Sequence, residues 1–166
     1  MAKKGNVCLI IHPDDAGRSC KQMEAPNRSA LEILVVDDDI GAANALGRLL
    51  RSYGHTVHVS HCALEGFDIA CRIKPRLILL DLTMPVIDGY EAARHLREMP
   101  FLSGTLLIAC SGSVDEEKAR AAGFDGWLTK PMSDGDLDTV LAMVQQRLDQ
   151  TASNSEAGTI PGGRNK

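Results

Sequence analysis

Leu77 to Leu80 is an unbroken aliphatic run that delivers Asp81, and the chain then turns through Met84, Pro85, Asp88 and Gly89 into a helical pattern. A short apolar run bounded by turn residues reads as a strand buried on both faces, as in a parallel sheet. Asp81 therefore stands where a buried strand opens at its carboxyl end, the edge at which open α/β sheets bind ligands. A lone aspartate there most often only ends a strand or caps a turn. The remaining strands decide between the two.

Four further segments repeat the arrangement. Ile33 to Val36 is a β-branched run ending in Asp37, Asp38 and Asp39, followed by helical spacing in which Ala42, Leu46, Leu49 and Leu50 share a face until Gly54 stops it. Thr56 to Ser60 reads as a second strand, and Ala63 to Ile73 as a helix that Pro75 forbids from continuing. After the strand at Asp81, a helix over Asp88 to Met99 is capped by Asp88 and turns Ala92, Ala93 and Leu96 inward. Thr105 to Ala109 leads into Cys110, Ser111 and Gly112; Val114 to Ala122 is a short polar helix; Gly126 to Thr129 ends at Lys130-Pro131. A last helix starts near Asp134 with Leu137, Val140, Leu141, Val144 and Leu148 on its apolar side. Five strands alternating with five helices predict an α/β fold, a parallel sheet covered on both faces.

One domain fits this length, and the boundaries expected are residues 31–149, with 1–30 a disordered extension and 150–166 a disordered, Gly-rich tail. Within the extension only Val7 to Ile11 looks strand-like, and His12, Asp14 and Asp15 are read as solvated rather than metal-binding. A net charge of −4 and a pI near 5.7 give no electrostatic reason to expect nucleic acid or an anionic membrane as a direct partner. No run is long enough to span a membrane, and VCLII is too short for a signal-peptide core, which makes the expected address cytoplasmic. Five cysteines without a CxxC pair indicate neither a disulfide framework nor a zinc site; Cys71 and Cys110 are expected to be buried as small hydrophobes.

The strand ends bring Asp37, Asp38, Asp81, Ser111 and Lys130 to one edge. Carboxylates within a few ångströms of one another repel unless a cation sits between them. Such oxygens suit Mg²⁺, which binds through a couple of carboxylates plus waters and phosphate oxygens. A carboxylate can also attack phosphorus and become an aspartyl phosphate. The transferred group carries charge on three oxygens, which a metal ion, the Lys130 ammonium and the Ser111 hydroxyl can hold. Asp81, central in the sheet, is then the nucleophile, with Asp37 and Asp38 on the metal.

VVDDD at 35–39, LLDLTMPVIDGYE at 79–91, CSG at 110–112 and GWLTKP at 126–131 closely resemble the receiver domain of bacterial two-component response regulators, the CheY-like family. The resemblance runs from Glu32 to Leu148. It implies a flavodoxin-like, doubly wound five-stranded parallel sheet in the order 2-1-3-4-5. It implies that Asp81 is the phospho-acceptor, that the Thr83 backbone carbonyl joins Asp37, Asp38 and Asp81 around Mg²⁺, and that Lys130 binds the phosphoryl group. Ser111 becomes the switch hydroxyl, where the family often has threonine. Trp127 takes the aromatic switch position usually held by tyrosine or phenylalanine, and the Lys130-Pro131 bond is expected to be cis. The implied partners are a sensor histidine kinase or histidine phosphotransfer protein, and a downstream protein docking on the face of the fourth helix, fifth strand and fifth helix. The role expected is that of a stand-alone signalling receiver whose only chemistry is its own phosphorylation and dephosphorylation. A phosphorylation-independent docking module and the receiver fragment of a hybrid histidine kinase are the alternatives.

Overall fold

The computed structural model describes residues 2–4, 7–9 and 30–156. Its strands are β1 (Ala2–Lys4), β2 (Val7–Leu9), β3 (Glu32–Val36), β4 (Thr56–Ser60), β5 (Leu77–Asp81), β6 (Leu106–Ser111) and β7 (Gly126–Thr129). Its helices are α1 (Ile40–Ser52), α2 (Ala63–Ile73), α3 (Gly89–Arg97), α4 (Glu116–Ala121) and α5 (Asp134–Glu156). From β3 to β7 every sheet neighbour is parallel, in the spatial order β4-β3-β5-β6-β7. That is the 2-1-3-4-5 order expected, with β5 in the middle.

Two apolar layers hold the sheet between helices. Successive strand residues point to opposite faces, so Leu34, Val36, Ile78, Leu80, Leu107 and Ala109 pack under α2, α3 and α4 through Ala70, Ala92, Leu96 and Ala119. Ile33, Val35, Leu77, Leu79, Ile108 and Leu128 pack under α1 and α5 through Leu50, Val140, Leu141 and Val144. All five residues of β5 are buried, which explains why its run reads as continuous rather than alternating.

Local signals set the helix ends. Asp39 and Asp88 accept hydrogen bonds from the Ala42 and Glu91 amides at 3.0 and 2.8 Å, capping α1 and α3. Gly54, at φ 89°, takes the left-handed conformation that ends the first helical unit. The inward stripe of α1 differs from the expectation: Ala43, Gly47 and Leu50 are buried, whereas Ala42 is exposed. Gly47 explains the shift, since a Cβ there would lie 2.8 Å from the Val59 side chain, and the helix seats its smallest residue against β4. Cys71 is likewise exposed, not buried, because α2 turns Ala63, Gly66, Ile69 and Ala70 inward and leaves position 71 on the other side.

Two features lie outside the five-strand pattern. β2 pairs antiparallel with β7, and β1 with β2, so the sheet has seven strands. The strand-like piece read at Val7 to Ile11 is β2 over Val7–Leu9; Ile10, Ile11, His12, Asp14 and Asp15 lie outside the described residues. At the other end α5 continues to Glu156, past Gln150, and 157–166 lie outside the described residues.

Candidate functional site

Each parallel strand stops where its apolar run stops, and four of them leave a polar side chain at the same edge. Asp37 follows β3, Asp81 and Ser111 end β5 and β6, and Lys130 follows β7. Asp37, Asp81 and Ser111 are buried, while Asp38 is exposed. Lys130 Nζ donates to Asp37 Oδ2 at 2.7 Å and to Asp81 Oδ1 at 2.9 Å, bridging residues 93 and 49 positions away in sequence. The second oxygens are held by the backbone: Asp37 Oδ1 accepts from the Asp39 amide at 3.0 Å and Asp81 Oδ2 from the Thr83 amide at 3.1 Å. Both carboxylates are thereby fixed in orientation. Ser111 Oγ accepts from the Ser113 amide at 3.4 Å, a long contact that leaves its proton available to an incoming acceptor.

The close approach of α3 to this edge depends on one glycine. A Cβ on Gly89 would sit 2.3 Å from the Asp81 carbonyl oxygen and 2.6 Å from Leu82 Cα, so any other residue would push the helix off the strand that carries Asp81. The preceding loop is tight. The Ile87 amide donates to the Pro85 carbonyl at 2.9 Å across Val86, which has φ 72° and is 95% exposed. Such a three-residue turn is strained for a β-branched residue.

Electrostatics divide the residues sharply. Burial alone would pull the Lys130 ammonium down, but the hydrogen bonds and charges of Asp37 and Asp81 outweigh it and push its pKa up to about 12. Lys130 is therefore a cation at neutral pH. Cys110, directly opposite Asp81 in the sheet, is buried, and that burial pushes its thiol up to about 12, which removes it as a nucleophile.

Oxygens of Asp37, Asp38 and Asp81 lie within 4.8 Å of one another. Three carboxylates face one ammonium, and the exposed Asp38 is held by no hydrogen bond or ion pair from a described residue. Hard oxygen donors with an open side and unbalanced negative charge are the donor set that Mg²⁺ takes. The residues present fit that ion. Asp39 is placed elsewhere: its side chain caps α1.

A family model described as the response regulator receiver domain matches residues 33–142. The chain belongs to the response regulator receiver family. Receivers of this family bind Mg²⁺ in the acidic active site and are phosphorylated there. Among curated relatives, this receiver is 33% identical over 131 residues to the response regulator MprA of Mycobacterium avium and 34% over 123 residues to that of Mycobacterium ulcerans. The matches cover 78% and 74% of this chain and 56% and 52% of those proteins, so the chain spans about half the length of the curated relatives it matches. Among solved structures, the chemotaxis protein CheY4 of Vibrio cholerae shares the fold with a TM-score of 0.67 at 24% identity, over 70% of this chain and 99% of its own. The receiver domain of the sensor histidine kinase PA1611 from Pseudomonas aeruginosa, solved with a magnesium ion in its active-site cleft, has a TM-score of 0.63 at 29% identity. That match covers 68% of this chain and 95% of its own.

The receiver brings Asp37, Asp38, Asp81 and Lys130 together as the sequence suggested, with Ser111 at the neighbouring strand end. The Lys130-Pro131 bond is cis. Trp127 is 4% exposed and packs in the layer that contains Ala109, Ala119, Ala122 and Phe124, one strand position before Leu128 on the opposite face. Sequence reasoning missed His61, whose Nδ1 lies 3.3 Å from the Asp37 carbonyl oxygen in the loop after β4. It also missed Tyr90, whose hydroxyl accepts from the Asp115 amide at 3.2 Å and ties α3 to the start of α4. Neither has a local signal, because each acts across elements.

Proposed function

We propose that this receiver accepts a phosphoryl group on Asp81 from a sensor histidine kinase or histidine phosphotransfer protein, and signals by altered docking to a partner. The observation that carries the reading is the Lys130 ammonium shared between Asp37 and Asp81 at 2.7 and 2.9 Å. A cation held at a carboxylate otherwise backed by a backbone amide marks the place where an anion is to be built.

Asp37, Asp38, Asp81 and the Thr83 carbonyl would hold Mg²⁺, which when bound supplies neutralising charge at the phosphoryl oxygens. The chain's own residues do the rest. An Asp81 carboxylate oxygen attacks phosphorus, and the P–N bond to the donor imidazole breaks with its electron pair returning to nitrogen. Lys130 offers its ammonium to a phosphoryl oxygen, and Ser111 donates its hydroxyl to another. As Ser111 and Lys130 turn to the new group, the loop into α4 and the strand β7 are drawn with them. The face of α4, β7 and α5, beneath which Trp127 lies buried, is the surface that partners read.

Incubation with Mg²⁺ and acetyl phosphate should add one phosphoryl group, read by intact-mass spectrometry and removed by base. Asp81→Asn should abolish the addition entirely, and retention of the label in that variant overturns the assignment. At fixed Mg²⁺, beryllofluoride should shift NMR resonances in residues 114–140 and alter Trp127 fluorescence. Shifts confined to the Asp81 pocket would instead favour a module that docks without switching. The relatives' greater length supports a second reading, in which this receiver works as one part of a longer protein.

A further inference from the structure

α4 is the helix with the fewest anchors. It is six residues long and Ala119 is the one residue it buries, whereas the other four helices bury at least three each. Elements with few buried contacts are the ones that open and shift most readily. A single side chain from α3 holds α4 at both ends. Tyr90 Oη accepts from the Asp115 amide at 3.2 Å, at the N-cap of α4. The Tyr90 ring stands edge-on to Phe124, with ring centroids 6.3 Å apart and planes at 86°. Phe124 is buried three residues past the end of α4, and its amide donates to the Ala119 carbonyl at 3.1 Å.

Tyr90 is placed by the strand that carries Asp81. It directly follows Gly89, whose amide donates to the Leu82 carbonyl at 3.1 Å and whose Cα has no room for a Cβ against the Asp81 carbonyl oxygen. A shift at the end of β5 therefore reaches Tyr90 through backbone contact alone. On the other side, only Gly112, Ser113 and Val114 separate Asp115 from Ser111. The Ser113 amide donates to Ser111 Oγ at 3.4 Å. The hydroxyl assigned to the phosphoryl group is thus held by a three-residue loop whose far end Tyr90 fixes.

We propose that Tyr90 is a positioning residue: its hydroxyl holds the loop 112–114 and the start of α4 in the resting arrangement, through one hydrogen bond that the phosphorylated receiver gives up. When Ser111 turns its hydroxyl to a phosphoryl oxygen the loop follows, and the Asp115 amide is drawn off Tyr90 Oη. The α4 cap itself survives the move, because Asp115 Oδ1 accepts from the Lys118 amide within the helix at 3.1 Å. A bond present in one state only biases the equilibrium toward that state. By linkage, whatever resists the switch also weakens binding of the group that drives it. The inference rests on the reading of Asp81 and Ser111 given above and assigns Tyr90 a task distinct from theirs.

The test compares the full chain with its Tyr90→Phe variant, which loses the acceptor and keeps the ring on Phe124. At saturating Mg²⁺, with beryllofluoride standing in for the phosphoryl group, the variant should bind about threefold more tightly, the worth of one neutral hydrogen bond lost from the resting state alone. Its unliganded form should melt slightly earlier. A tyrosine that merely supports the fold does not give tighter binding together with lower stability. In hydrogen exchange without ligand, amides at 113–117 should exchange about threefold faster in the variant. With beryllofluoride bound, the two proteins should match. If the native chain binds beryllofluoride and the variant binds it equally or more weakly, the proposal is overturned. A difference in exchange that is the same with and without beryllofluoride also overturns it, since the bond would then persist through the switch. A native chain that binds no beryllofluoride overturns the reading of Asp81 itself, and this inference falls with it.

Discussion

At the carboxyl edge of the sheet one ammonium stands among three carboxylates and holds two of them; at the amino edge two guanidiniums hold one. Asp125, just before β7, accepts from Arg147 at 2.8 Å through one oxygen, and from Arg97 and the Leu107 amide through the other. Arg97 spends its remaining nitrogens on the Gly123 and Thr105 carbonyls at 2.8 and 2.9 Å. Both oxygens of Asp125 have partners within the fold. Around Lys130 the count is reversed: Asp38 is open to solvent and Asp37 and Asp81 share a single cation. Saturation makes the lower network a fastener that clamps the starts of β6 and β7 to α3 and α5. The deficit of positive charge at the upper one makes it a site, able to gain from an incoming cation. The two resemble each other as sets of ion pairs and differ in what they lack.

The largest effect should separate the two networks. Asp125→Ala leaves two guanidiniums and the Leu107 amide without their acceptor, and should cost about 3 kcal/mol in urea unfolding. Phosphorylation of the surviving folded protein should persist. If stability is unchanged, the lower network is decorative and the contrast fails.

A second test uses pH. The folded pKa of Lys130 is raised to about 12 from an ordinary 10.5, so its contribution is fully present below 10.5 and is lost as pH rises through 12. With metal chelated, the stability difference between the native chain and Lys130→Met should be constant up to pH 10.5 and shrink across that window. A difference that grows with pH would mean that the carboxylates do not hold the ammonium as the geometry indicates.

Adjacent aspartates give a third. Asp39→Ala should cost about 1 kcal/mol through loss of the α1 cap, with Mg²⁺ affinity nearly unchanged. Asp38→Ala should do the opposite, weakening Mg²⁺ in calorimetric titration and leaving stability almost untouched. Equal losses of metal from the two would place the acidic pair wrongly. The smallest effect concerns the loop between β5 and α3: Val86→Gly should raise stability by about 0.5 kcal/mol by relieving a positive φ on a β-branched side chain.

Most of the phosphoryl-site candidates were legible because they lie where local patterns end. Apolar runs at Ile33, Leu77, Leu106 and Leu128 must stop when the strand leaves the core, and the residues after them are polar for the same reason. The DG pair before α3 was legible as a cap and turn, but not the 2.3 Å approach that makes Gly89 necessary beside Asp81. Nor was the Asp125 clamp, since Arg97 and Arg147 are separated from it by a strand and a helix and have no periodicity in common with it.

By itself the sequence determined the alternation of strands and helices, the five parallel strands, and the carboxylates, hydroxyl and lysine that their ends deliver. Periodicity reports whether a residue is buried and how often its face recurs, and that is enough to place strand ends. Only the tertiary structure decided which oxygen Lys130 holds, which face of α2 takes Cys71, which layer receives Trp127, and that Val7–Leu9 pairs with β7. Those outcomes depend on pairing between segments far apart in the chain. Backbone hydrogen bonds are the same for every residue, so a strand's own composition cannot name its neighbour.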